Sequence, residues 1–217
     1  MTYALSWSGG KDSTLALDRA VRDGLRVGYL FNIFDGASGR IRFHGVRSEL
    51  IAAQAEALGL ELIQRAAGED DFEDVFLAIV AELTELGVRG ALFGNIHLAD
   101  VRAWYEERTT DVGLEHLEPL WGDPPEELIR EFATRGYRGV VVSVDLSRSE
   151  EEWLGREIDE GFISEVVAAP GVDACGEHGE FHSFVYDGPL FRRVLPVRRG
   201  ALFEAGSHRL LDLTLDG

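Results

Sequence analysis

Strand-like and helix-like segments alternate along about the first 120 residues, and no other feature of the chain constrains its fold as tightly. Residues 3–7, "YALSW", read as a buried strand. The turn "SGGKDS" leads into "TLALDRAVRDG", where Leu15, Leu17, Ala20 and Val21 form a helical stripe that ends at Gly24. The unit then repeats. Strand "RVGYLFNIF" precedes helix "GVRSELIAAQAEALGL", whose apolar positions are Leu50, Ile51, Ala53 and Leu58. Strand "ELIQRA" precedes helix "DFEDVFLAIVAELTELG", acidic in its first turn as the helix dipole favours. Strand "RGALFGNI", helix "LADVRAWYEERTTDVG" and a short strand "EHLEPLW" complete the series. This order predicts an α/β fold, a parallel sheet with right-handed crossovers and helices on both faces. Ligands bind such sheets beyond the C-terminal ends of the strands. The loops after Trp7, Phe34 and Ile96 lie at that edge.

"GDPP" at 122–125 reads as a boundary. Beyond it, "EELIREFATRG" predicts a helix and "GVVVSVDL" a strand. "SEEEWLGREIDEGFISEVVA" predicts a helix with a break, and residues 188–217 alternate like antiparallel strands around the turn "EAGSHR". Two domains are expected, 1–122 and a smaller α+β unit over 123–217.

Composition removes several function classes. The formal net charge is −18, and a surface that acidic repels phosphate backbones, so general nucleic-acid binding is not expected. The single cysteine, Cys175, excludes an internal disulfide framework, a four-cysteine zinc site and a cysteine-held iron–sulfur cluster. The apolar runs are too short to span a bilayer and no signal peptide is visible, so the expected location is cytoplasmic, with no membrane partner.

Two stretches carry chemistry. In "SWSGGKDST" a strand ends, Gly9 and Gly10 permit a tight turn, and a helix begins. Successive N–H groups then converge at the positive end of a helix, a ready anion site. The hydroxyls of Ser8, Ser13 and Thr14 can add donors. Lys11 adds a compact charge and is the only lysine in 217 residues, against twenty arginines. The arginine bias points to a GC-rich genome. A lysine that survives it at a phosphate loop implies a steric requirement, because arginine's planar fork is larger. The loop is not a Walker A motif, since only two glycines adjoin the lysine. The second stretch, "GVDACGEHGEFHSFVYDGPLF" (171–191), packs Asp173, Glu177, His178, Glu180, His182 and Asp187 among glycines. Such a loop can bind a cation or do acid–base work. Cys175, His178 and His182 are zinc-ligand types at a spacing that fits no standard site.

Ser8, Gly9, Gly10, Asp12 and Ser13 match the pattern S-G-G-x-D-S, which resembles the pyrophosphate loop (PP-loop) of the N-type ATP pyrophosphatases. Both stretches together resemble the ATP-binding family of diphthine–ammonia ligase. Its C-terminal hallmark, C-G-E-x-G-E-[FY]-H-[ST], is filled by Cys175, Gly176, Glu177, Gly179, Glu180, Phe181, His182 and Ser183. A Y-D-G-P segment follows at Tyr186, Asp187, Gly188 and Pro189. "HGV" at 44–46, "QAEALGL" at 54–60, "FGNIHLADVRAWYEER" at 93–108, "PLWG" at 119–122 and "WLG" at 153–155 extend the resemblance over the chain. Asn95 stands where many relatives carry an acidic residue or alanine.

The resemblance implies a Rossmann-like (HUP-type) sheet, with a PP-loop ATP-binding domain at 1–122 and a substrate and ammonia domain at 123–217. A substrate carboxylate attacks the α-phosphate of ATP, pyrophosphate leaves, and ammonia displaces AMP to form an amide. It implies that residues 8–13 hold the phosphates, that Lys11 offsets charge on the bridging oxygen, and that Asp12 holds Mg²⁺. Phe34, Gly94, Asn95 and Ile96 would flank adenosine, and His44 would reach the phosphates. Glu177, Glu180 and His182 would bind or deprotonate ammonium. Nothing in the chain is long enough for a glutamine-splitting domain, so ammonia comes free or from a partner. The acceptor is diphthine on elongation factor 2 or a small-molecule carboxylate, for example a cobalamin-related one. A non-catalytic ATP- or AMP-sensing module is the alternative of a different class, and homodimerisation stays open.

Overall fold

The computed structural model describes residues 1–216. Its first half holds β1 (Thr2–Ser6), α1 (Lys11–Arg22), β2 (Val27–Asp35), β3 (Arg40–Ile41), α2 (Ser48–Leu58) and β4 (Glu61–Ala67). These are followed by α3 (Phe72–Glu85), β5 (Val88–Leu92), α4 (Ala99–Asp111) and β6 (Glu115–Leu117). Five strands lie parallel in the order β4-β2-β1-β5-β6. The two-residue β3 adds antiparallel to the end of β2, with Phe34 opposite Ile41. From β1 the chain steps outward to β4, then returns to place β5 against the other edge of β1. Strand order therefore reverses between β1 and β5, and the crevice at their C-terminal ends is where such sheets bind ligands.

Apolar side chains explain the layers. Leu15 and Leu17 of α1 and Leu50 and Ile51 of α2 pack on one face of this sheet, in the same cluster as Leu5 and Leu30. Phe76, Ile79 and Leu83 of α3 pack on the other face with Phe31 and Phe93, and Trp104 and Tyr105 of α4 close over them. Helices on both faces follow from strands buried on both faces.

The second half comprises α5 (Pro125–Thr134), β7 (Arg138–Asp145), a 3-10 turn at Glu151–Trp153, α6 (Glu160–Ala168), β8 (Phe181–Asp187), β9 (Val197–Ala205) and β10 (His208–Leu215). Its strands form an antiparallel sheet in the order β8-β7-β10-β9. The segment expected as one broken helix is a 3-10 turn, a bridge between Glu157 and Val140, and then α6. Helix α6 starts where it does because Asp159 caps it, its carboxylate accepting from the Phe162 N–H at 2.9 Å. The tail of the glycine-rich stretch is not loop: Phe181 opens β8, which is buried along most of its length.

That burial is the joint between the two sheets. One apolar cluster runs from Trp7 and Leu30 through Phe184 to Phe162, so the halves share a core. Val185 of β8 donates its N–H to the Gly9 carbonyl at 2.9 Å. Gln54, fully buried on α2, completes the joint with its side-chain amide. Its Nε2 donates to the carbonyls of Gly9 at 2.9 Å and Val185 at 2.6 Å, and its Oε1 accepts from the Trp7 indole at 2.8 Å. Two carboxylates reinforce the joint at its ends. Asp18 of α1, buried, accepts from the Tyr137 hydroxyl at 2.8 Å and from Arg135 at 3.1 Å. Asp212 of β10 accepts from Arg47 at 2.7 Å and Arg40 at 2.8 Å.

Gln54→Leu keeps the volume of that side chain and removes its hydrogen bonds, leaving the Trp7 indole N–H and the Val185 carbonyl short of partners. Each orphaned buried group costs about 1–3 kcal/mol, so urea unfolding should report a loss of about 2–6 kcal/mol.

Candidate active site

The loop after β1 is shaped by two close approaches. Gly9 sits at φ +82°, and a Cβ there would lie 2.6 Å from Gln54 Oε1. A Cβ on Gly10 would lie 2.9 Å from the His44 ring and 3.1 Å from the Ser183 carbonyl. Only glycine allows α2, β8 and the β3–α2 connection to close on the loop together. From the other side, Gly94 brings the connection after β5 onto the first turn of α1, where a Cβ would stand 3.0 Å from the Ser13 nitrogen. The hydroxyls behave differently from expectation. Thr14 and Ser13 turn back to the Gly10 carbonyl at 2.8 and 3.1 Å, and Ser8 accepts from the Gly10 N–H at 3.3 Å. They brace the loop, while the helix N-terminus remains the anion-attracting feature.

Lys11 is 3% exposed, under the second sheet. Its Nζ lies 2.9 Å from Asp12 Oδ2, donates to the Cys175 carbonyl, and stands 4.9 Å from the centroid of the Phe181 ring. Its backbone N–H donates to Ser183 Oγ at 3.1 Å. Burial opposes the charge, yet the Asp12 carboxylate and, further off, Glu177 outweigh it, and the ammonium titrates above its ordinary value. Asp12 is pushed up by burial although Lys11 pulls it down. Glu177 is pushed up by burial and then by the Asp12 charge. Its Oε1 accepts from the Ile96 N–H at 2.7 Å, which ties the signature turn to the end of β5.

The other expected residues divide. Glu180, 2% exposed, spends both oxygens on the turn that carries it, accepting from the N–H groups of Asp173 at 3.0 Å and His178 at 3.1 Å. Its carboxylate organises the loop rather than facing Lys11. His182 lies toward His44, with ring centroids 4.5 Å apart, and its buried Nε2 has no partner. The His44 Nδ1 is 3.2 Å from the Ser183 carbonyl. Asn95 donates to Glu118 at 2.8 Å, and Ile96 is fully buried. Cys175, His178 and His182 do not converge. The Cys175 thiol, buried and donating to the Pro125 carbonyl at 3.3 Å, is pushed well up by burial and is a poor nucleophile.

A cavity of about 430 Å³ opens beside the loop, past the C-terminal ends of β1 and β2. Trp7, Ser8, Phe31, Asn32, His44 and Tyr105 are among its walls. Phe34 is not among them: it shares a face of β2 with Asn32 but lies further along the strand, opposite Ile41 of β3, and its side chain packs against the larger core. Asn32, whose Nδ2 donates to the Trp7 carbonyl at 2.8 Å, and Tyr105 were not expected here. Asn32 carried one readable signal, a polar residue inside an apolar strand. Tyr105 carried none, because the helix face it occupies depends on packing.

Burial lowers the His44 imidazole to about 4, with the Lys11 charge adding to the effect. His182 is driven well below the usual range by burial and then by His44, Lys11 and His208. Both rings are neutral at pH 7. Between pH 6.5 and 4 the unfolded chain takes up a proton at position 44 that the folded chain does not. This contribution to stability is present above pH 6.5 and is lost as the pH falls toward 4. Histidine NMR titration should give a midpoint near 4 for His44. The pH dependence of unfolding across that window should be shallower in His44→Gln than in the parent chain.

Two family models match this chain. A family model described as the diphthamide synthase N-terminal domain matches residues 1–116, and one described as the diphthamide synthase C-terminal domain matches residues 124–209. The diphthine–ammonia ligase of Homo sapiens is 27% identical, over 91% of this chain and 83% of its own length. That of Danio rerio is 26% identical, over 88% and 84%. In Schizosaccharomyces pombe the similar region, also 26% identical, takes up 92% of this chain but 36% of the relative. With both family models placed in sequence over nearly its full length, the chain belongs to the diphthamide synthase family.

Proposed function

We propose that this chain is an ATP-dependent amide ligase that releases AMP and pyrophosphate, with diphthine as the acceptor carboxylate and ammonia as the nitrogen donor. The observation that carries the reading is the placement of buried Lys11, at the N-terminus of α1, beside Asp12 and within electrostatic reach of Glu177 from the turn ahead of β8. That is a cation and two carboxylates at a helix end which favours phosphate. The names of the relatives, diphthine–ammonia ligases, support the acceptor and the donor.

In this reading the cavity of about 430 Å³ takes adenosine between its aromatic walls, a size and lining usual for small-ligand sites. The phosphates meet the loop of residues 8–13 at the N-terminal end of α1. Asp12, a carboxylate at the head of α1, would hold Mg²⁺, which would neutralise phosphate charge. A carboxylate oxygen of the acceptor bonds to the α-phosphorus. The bond from that phosphorus to the bridging oxygen breaks, and the electron pair leaves with pyrophosphate. Lys11 offsets charge on the departing oxygen with little motion. Ammonia then bonds to the acyl carbon, and the carbon–oxygen bond to AMP breaks. The nitrogen must arrive unprotonated and shed a proton afterwards. Glu177, held up by burial, and the neutral rings of His44 and His182 are the acceptors at hand.

The test supplies ATP, Mg²⁺, ammonium and either diphthine-bearing elongation factor 2 or a panel of small carboxylates. AMP and pyrophosphate in equal amounts, with an amide product, are expected. Release of ADP and phosphate would overturn the mechanism, and ATP binding without turnover on any acceptor would point to a sensor. Lys11→Ala should lower turnover by about 10²–10³-fold with an unchanged far-UV spectrum. Lys11→Arg should be impaired as well, because a guanidinium fork is larger than the ammonium that is buried against Phe181.

A further inference from the structure

Outside the residues already placed, another set of side chains converges. His97, from the connection between β5 and α4, meets Asp173 and His178, from the turn ahead of β8. Each offers one ligand-type atom, and these atoms all lie within 4.8 Å of one another, the one such His, Cys, Asp or Glu grouping among the described residues. His97 Nε2 lies 2.8 Å from Asp173 Oδ2, and the two imidazole centroids are 5.3 Å apart. Ligand atoms around a tetrahedral zinc at its usual bond lengths stand roughly 3.4 Å apart. The set lies within 4.8 Å, and closing to that spacing would need His178, its exposed member, to turn.

We infer that His97, Asp173 and His178 form a binding site for one divalent transition-metal ion of the zinc class. Two imidazoles and a carboxylate suit zinc, cobalt or iron and are a poor set for Mg²⁺, which prefers oxygen alone. The surroundings are built to hold them. Asp173 Oδ1 accepts from the N–H groups of Cys175 at 2.7 Å and Glu177 at 3.4 Å, which leaves Oδ2 directed at His97. Glu180 fixes the backbone of both loop members, accepting from Asp173 at 3.0 Å and from His178 at 3.1 Å. A buried carboxylate is costly, and here it serves only to set this turn. Such outer hydrogen bonds are what orient metal ligands. The cluster draws on both halves of the chain, so a bound ion would tie the connection after β5 to the signature turn beside the Ile96–Glu177 bond. Three protein ligands leave coordination positions free.

The site does not depend on the ligase reading and is tested without substrates. Chelator-treated chain, free of ATP and Mg²⁺, is titrated with Zn²⁺ against a chromophoric chelator and separately with Co²⁺. One ion per chain and a visible Co²⁺ spectrum of low-coordinate nitrogen–oxygen ligation are expected. His97→Ala and His178→Ala should each weaken binding at least about tenfold, with Glu180→Gln weakening it less, and His208→Ala leaving it unchanged. No stoichiometric binding at micromolar ion, or an affinity that neither histidine variant alters, would overturn the proposal and leave His97 and Asp173 as a hydrogen-bonded pair. Neither outcome bears on whether AMP is formed.

Discussion

The Val185 N–H donating to the Gly9 carbonyl, with the Gln54 amide bridging both residues, is the contact through which the rest of the site is assembled. It sets β8 across the loop that follows β1. Ser183, two residues back along the strand, then meets the Lys11 N–H, and the Phe181 ring covers the Lys11 ammonium. The turn ahead of β8 is thereby delivered to the end of β5, where Glu177 meets Ile96. Were β8 displaced, Lys11 would face water, and the two carboxylates and two imidazoles around it would have no common site. Because the joint lies in a continuous apolar core, the two sheets behave as one support for a constellation neither could hold alone.

Burial and charge are balanced locally and in the opposite sense to the whole surface. The chain carries a net charge of −18, yet the group at the centre of the site is a cation excluded from water. Lys11 stays charged because Asp12 compensates it directly and Glu177 at longer range. The imidazoles nearby follow the reverse logic. His44 and His182 share one partition with no carboxylate against them, so burial makes them neutral. A small region thus holds a fixed positive charge, ionisable acids held up toward neutrality, and uncharged bases. Groups whose environments push their titration apart are the raw material of acid–base chemistry.

Much of the first sheet was legible because helix and strand periods differ, and because a glycine or a cap marks most boundaries. The loop at Ser8–Ser13 and the hallmark at Cys175–Ser183 were legible as patterns, and the family models fall on the segments that carry them. Several roles inside the patterns were not. Glu177 and Glu180 look alike in the string, but one faces Lys11 electrostatically and the other is spent on two backbone amides. Phe34 and Asn32 share a face of one strand, yet Asn32 lines the cavity while Phe34, further along, packs against the larger core. His97 and Asp173 stand far apart in sequence and touch at 2.8 Å, a meeting that no local period announces.

The amino-acid order by itself determined the alternation that makes a parallel sheet, the glycines that let a loop turn at the end of β1, and the inventory of acids and imidazoles in the second half. These rest on local physics: backbone freedom at glycine, side-chain period, and the chemistry of each residue type. Tertiary structure alone decided which members of that inventory meet. It buried the one lysine against Phe181, turned Glu180 onto its own loop and Glu177 across to the Ile96 N–H, and set two histidine rings 4.5 Å apart with neither charged. The reason is that contact between distant segments is set by how two sheets share one core. Position in a packed interior, rather than position in the chain, fixes what each charge can afford to be.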